Sequence, residues 1–170
     1  MTNQLTLRFK QFAEDECKNS SKLYEHLALN IANDEEIIEL CSHATIGQPI
    51  PNLLLGSVHY LLLSGKKHTL KEFYPSLVEK TRDMNGSFVY FKDFCHQYRN
   101  EIINLLKTKI VQTNEVRRCA YLYPSFSYIY QKINKPISLI EIGTSAGLQL
   151  LWDQYQYSYN SSQRYGNRSS

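Results

Sequence analysis

The chain has little of what a membrane, secreted or fibrous protein requires. With 7 glycines and 5 prolines in 170 residues it is neither collagenous nor of low complexity. Its longest apolar run, Leu53 to Leu63, is interrupted by Gly56, Ser57 and His59 and falls short of the ~20 residues that span a bilayer. The opening MTNQLTLRFKQF has no charged segment followed by an apolar stretch, so no secretory signal is visible and a cytoplasmic location is expected. Cys17, Cys41, Cys95 and Cys119 form no Cys-x-x-Cys pair and no zinc-like Cys/His spacing, which reads as buried thiols and no metal site. Cys95 and His96 adjoin, but neighbouring helix positions do not face each other, so they are not set as nucleophile and base.

Charge is equally uninformative about partners in bulk. The net +3 is too small for a nucleic-acid interface, and the basic residues are scattered among carboxylates, so neither nucleic acid nor membrane is expected as a partner. Residues 1–46 carry 4 basic and 8 acidic side chains and residues 47–170 carry 15 and 8, an asymmetry of faces or subdomains.

What the chain has is helical periodicity. Leu5, Phe9, Phe12, Ala13 and Cys17 mark a first helix; Ser20-Ser21 ends it and caps a second with Leu23 or Tyr24, Leu27 and Ile31 inward. Asn33 is placed to cap a third helix running to about Ala44, with Asp34, Glu35 and Glu36 in its first turn. Pro51 and Gly65 bracket a buried fourth helix, in which His59 reads as a core histidine bonded to a neighbour. Thr69 to Leu77 is a short helix or turn broken at Pro75, and Arg82 to Gly86 a loop. Phe88, Phe91, Phe94 or Cys95, Tyr98, Ile102 and Leu105 predict one long helix from Ser87 to about Lys107. Thr113 can cap a further helix beginning Asn114-Glu115, which Pro124 breaks or restarts before Ile133.

After Asn134-Lys135-Pro136 the pattern changes. Ile137-Ser138-Leu139-Ile140-Glu141-Ile142 is short, apolar and β-branched, which predicts a buried strand. Gly143-Thr144-Ser145-Ala146-Gly147 then forms a turn, and Leu148, Leu151, Trp152, Tyr155 and Tyr159 recur at helical spacing. Strand, Gly-rich turn and helix are the opening unit of a Rossmann-like α/β fold, where loop amides face a ligand. The expected class is therefore mainly α: a helical domain over 1–135, the first β-α unit of an incomplete Rossmann-like domain over 136–160, and a loose tail over 161–170.

The turn resembles the first motif of S-adenosylmethionine-dependent methyltransferases, an acidic residue followed by Gly-x-Gly-x-Gly, with Ser145 at the middle glycine. By position the resemblance implies cofactor contacts from Glu141, Gly143, Thr144, Ser145 and Gly147. The same pentapeptide also spells the Gly-x-Ser-x-Gly of a hydrolase nucleophile elbow. That alternative fails on order, since the last histidine is His96 and the only later carboxylate is Asp153. A third reading has the glycines merely packing a helix on a strand. No Asp or Glu follows Asp153 to hold a ribose, and no second strand follows either, so this chain alone is not expected to bind the cofactor.

Beyond the turn, FAEDECKNSSKLYEHLALNIANDEEIIEL, GQPIPNLLLGSVHYLLL, FYPSL, VQTNEVRRCA and LIEIGTSAGLQLLWDQYQYSY resemble an uncharacterised bacterial family, domain of unknown function 2332. The resemblance implies a helical first half before a methyltransferase-like half, in proteins about twice as long, and hence that this chain is a truncated product or an excised piece. It also implies that Gln112, Asn114, Glu115 and Arg118 line a pocket beside the Gly-rich turn, with S-adenosylmethionine as cofactor in a full-length relative. The plainer reading is that Thr113 and Glu115 cap a helix and Arg118 makes a surface ion pair. Thirteen tyrosines, eight of them flanking the strand, read as rings filling a helix–strand interface, with self-association where they stay exposed. The function that follows is the N-terminal part of a methyltransferase-like protein, inactive as it stands; the alternative is a non-catalytic helical interaction module.

Overall fold

The computed structural model describes residues 2–112 and 114–167. The chain divides into two compact units, Met1–Val111 and Gln112–Ser170.

In the first unit the periodic stripes become helices around one core. α1 (Thr2–Gln11) runs into a wider π-helical turn, Phe12–Cys17, and Leu5, Phe9, Phe12, Ala13 and Cys17 are all buried. α2 (Lys22–Ile31) starts where Ser21 accepts the Tyr24 amide hydrogen at 3.3 Å. Asp34, rather than the expected Asn33, caps α3 (Glu35–Cys41), accepting the Ile37 N–H at 3.1 Å. Asn33 instead closes α2 by donating to the Leu29 carbonyl at 2.9 Å. Burial opposes ionisation of Asp34, but Lys92 at 2.8 Å and the Ile37 amide outweigh it and hold the carboxyl below its ordinary range. α3 stops short of Ala44 because Thr45 is drawn across to a distant stretch of chain, its N–H donating to the Leu106 carbonyl and its hydroxyl to that of Lys107.

α4 (Ile50–Leu63) is the apolar centre, burying Leu53, Leu54, Leu55, Val58, Leu61 and Leu62. Pro51 lies in its first turn, and Gly65 follows its end with a φ of 91°. A 3-10 turn, Thr69–Phe73, is capped by His68, whose Nδ1 accepts the Leu70 N–H at 3.0 Å. The long helix expected over Ser87–Lys107 is instead α5 (Ser87–Gln97) and α6 (Arg99–Thr108), broken at Tyr98. Tyr98 is held out of line: its ring packs 4.6 Å from Phe94, Lys66 lies 5.0 Å over it, and its hydroxyl donates to the Lys67 carbonyl. Phe9, Phe91 and Phe94 are wholly buried, and truncating any one to alanine costs ~3–5 kcal/mol.

The second unit departs most from expectation. A 3-10 turn, Val116–Arg118, leads into α7 (Cys119–Ile133), which continues through Pro124 and ends at Asn134 with a φ of 47°. Thr113, the expected cap, lies outside the described residues, and Glu115 caps the turn instead, accepting the Arg117 N–H at 3.1 Å. Ile137–Ile142 pairs with no strand among the described residues. The helix predicted after the Gly-rich turn is a kinked 3-10 segment, Leu148–Gln154. β1 (Gln156–Tyr157) then pairs antiparallel with β2 (Tyr165–Gly166), Gln156 opposite Gly166 and Tyr157 opposite Tyr165, so the expected loose tail contributes a strand. Arg168 lies outside the described residues.

The Rossmann-like expectation is therefore corrected: the class is mainly α with a short antiparallel hairpin, and among the described residues no parallel β-α unit forms. A buried parallel strand needs partners for its amides and carbonyls on both sides. The run over 137–142 has the composition for one, but no second strand lies beside it among the described residues, and Ile140 and Ile142 are 93% and 96% exposed.

Candidate functional site

The Gly-rich turn is shaped by backbone sign. Gly143, Ser145 and Gly147 alternate at φ values of 76°, 52° and 73°, a left-handed region that glycine enters freely and serine at a cost. A side chain at Gly143 would meet nothing within 4 Å, so this glycine serves the turn's dihedrals and not close packing.

Ser145 is held there by two residues from the start of the unit. Asn114 Nδ2 donates to Ser145 Oγ at 3.0 Å, and Ser145 Oγ donates to Gln112 Oε1 at 3.2 Å. Asn114 Oδ1 also accepts the Ala146 N–H at 3.1 Å. The structure thus brings Gln112, Asn114 and Ser145 together. It also engages the Ser145 hydroxyl and the Ala146 amide, two of the groups the turn would offer a ligand. Thr144 Oγ1 donates to the Glu141 carbonyl at 2.6 Å, while Glu141 Oε2 is buried without a hydrogen-bond partner. Glu115 is spent on its own turn, and Arg118 is exposed with no ion pair among the described residues.

Around the turn, aromatic rings hold the hairpin to α7. Tyr123 stacks 4.6 Å from Tyr157, and Trp152 sits 5.0 Å from Phe126. The tyrosine hydroxyls reach backbone groups: Tyr157 donates to Trp152, Tyr155 to Leu148, and Tyr123 accepts the Gly166 N–H at 3.1 Å. The rings thus meet between a helix and a strand, but the strand is β1 of an antiparallel hairpin and not the expected Ile137–Ile142. Elsewhere the thiols are inert by burial, which pushes Cys17 up to about 11 and Cys41 to about 12.

The family described as uncharacterized protein conserved in bacteria, DUF2332, matches residues 6–170. The chain belongs to the DUF2332 family. No curated protein matches this DUF2332 chain, and no solved structure does. With no parallel sheet among the described residues, the methyltransferase reading lacks the α/β core that its cofactor loop requires.

Two polar groupings of the DUF2332 chain have partners that local sequence does not name: those of His59, expected to bond a neighbour, and of His68, which no pattern marks. His59 meets Tyr24 at 3.4 Å and Ser76 at 2.8 Å, and His68 meets Asp93 at 3.0 Å. Their partners are 17 to 35 positions away, beyond the reach of local spacing.

The more consequential omission is surface. In the second unit only Cys119 and Tyr157 are buried among the described hydrophobic residues. Tyr121, Tyr128, Ile129, Tyr130 and Ile133 of α7 are exposed. Leu122, Phe126, Leu139, Ile140, Ile142 and Leu150 line an open hollow of about 270 Å³. Among the described residues no helix is long and apolar enough to cross a membrane.

Proposed function

We propose that this chain is a non-catalytic helical interaction module that binds protein, a second copy of itself included, through its Tyr-rich C-terminal unit. One observation carries the reading: the first unit closes a full hydrophobic core, whereas the second buries only two of its described hydrophobic side chains. Large exposed apolar patches mark interaction surfaces, and covering apolar surface on association is the main favourable term in most protein–protein binding. The exposed rings are tyrosines, whose amphipathic character suits interfaces that open and close in water.

Sedimentation of the full chain over a concentration series tests the reading. Concentration-dependent association, weakened when Tyr128, Tyr130 and Ile133 are changed to serine, is expected. A chain that stays monomeric at every concentration and binds no hydrophobic dye overturns it.

A further inference from the structure

Along 137–142 exposure alternates residue by residue: Ile137, Leu139 and Glu141 are partly covered, while Ser138, Ile140 and Ile142 are bare. That two-residue period is the signature of extended chain with one face on the protein. From Pro136 to Ile140 the backbone makes no hydrogen bond among the described residues. Extended chain with an unpaired edge is a template for another strand.

We propose that two copies of the chain pair antiparallel through this segment about a two-fold axis at Ser138; the inference rests on the self-association above and names its contact. Three features select this occupant and register. Successive residues present their amides to opposite edges, so Lys135, Ile137, Leu139 and Glu141 form one edge, and Pro136, which lacks an N–H, falls on the other. The odd-numbered edge alone carries a donor at each position. With Ser138 opposite itself, Ile137 meets Leu139 and Lys135 meets Glu141 of the other copy. The segment's two charges are thereby paired twice. Moving the register by one pairing step sets Lys135 opposite Gly143 and loses both pairs. A closed two-fold contact of this kind uses one patch on both copies and leaves no free odd-numbered edge for a third.

Two-fold pairing at a non-hydrogen-bonded position brings the two Ser138 Cα atoms to about 4.5 Å, within disulfide range. The native cysteines are all buried, so cross-linking reports on introduced thiols. Under mild oxidation the full-length S138C chain is expected to give a covalent dimer, and I140C, whose opposite residue is Pro136, is not. K135E should weaken dimerisation about tenfold by setting like charges opposite, and the K135E/E141K exchange should restore it. No S138C cross-link, or equal cross-linking of S138C and I140C, overturns the pairing. If the wild-type chain still dimerises in sedimentation, self-association stands and only this contact fails; if it is monomeric throughout, both fail.

Discussion

The hydroxyl of Tyr159 donates to the carbonyl of Ala120, the acceptor that Pro124 leaves without an amide inside α7. A proline in a helix interior removes the bond to the residue four positions back, and the orphaned carbonyl must find another donor. Here the hairpin end supplies it, which explains how α7 continues through Pro124.

Tyr159→Phe should cost ~1 kcal/mol in the wild-type background and less in Pro124→Ala, where the new amide can satisfy Ala120. A double-mutant cycle by urea denaturation measures the coupling. Equal costs in the two backgrounds would show that the contact carries no energy.

Asn114→Ala removes the acceptor of the Ala146 amide and the donor to Ser145, so exchange at the Ala146 amide should speed up. Ser145→Gly loses the hydroxyl's bonds to Asn114 and Gln112 but keeps the Ala146 amide bond and relieves the left-handed backbone, and should come within about 1 kcal/mol of wild type. Ser145→Val should be clearly worse, since a β-branched residue resists this φ.

Gly166→Ala should open the hairpin. A methyl group there would lie 2.3 Å from the Tyr155 carbonyl oxygen, at a φ of 84°. Gly65→Ala, at a φ of 91° with open space around it, pays only the backbone penalty of ~1–2 kcal/mol. Loss of the β1–β2 cross-strand contacts in nuclear Overhauser spectra of Gly166→Ala, but not of Gly65→Ala, is the expected outcome.

His59 makes stability depend on pH. Burial lowers its pKa from the ordinary 6.5, so on acidification the unfolded chain takes up the proton before the folded one. The stability at stake is present above pH 6.5 and is lost as pH falls through the folded value. His59→Gln should flatten that part of a stability-against-pH curve; an unchanged slope would assign it to other groups.

Tyr74→Phe should stabilise the chain. The Tyr74 hydroxyl is buried without a partner, and burial raises its pKa well above 10. Deleting it removes a desolvation cost of ~1 kcal/mol or more. A rise in melting temperature is the expected result, and a fall would mean that the hydroxyl has a bonding partner in solution.

Much of the first unit was legible because its signals are local. The stripe from Leu5 to Cys17, the Ser21 cap and the Pro51–Gly65 bracket each rest on contacts within one or two turns of chain. Where the reading slipped, a distant residue had intervened. Nothing near Tyr98 announces a break; Lys66 and Lys67, some thirty positions earlier, hold it out of line. Of the candidate site, the meeting of Gln112 and Asn114 with Ser145 was anticipated only through a resemblance, since no local spacing joins positions 31 to 33 residues apart.

By itself the amino-acid sequence determined most of the helices of the first unit and the caps and brackets that bound them, and that Ile137–Ile142 favours extended chain. Those are properties of dihedral preference and side-chain period, carried by each segment alone. Only the tertiary structure decided that the extended segment pairs with no strand among the described residues, why three left-handed residues alternate in the turn, and which hydrophobic side chains stay in water. Pairing and burial need a second surface, and a segment's own residues do not specify whether that surface is present.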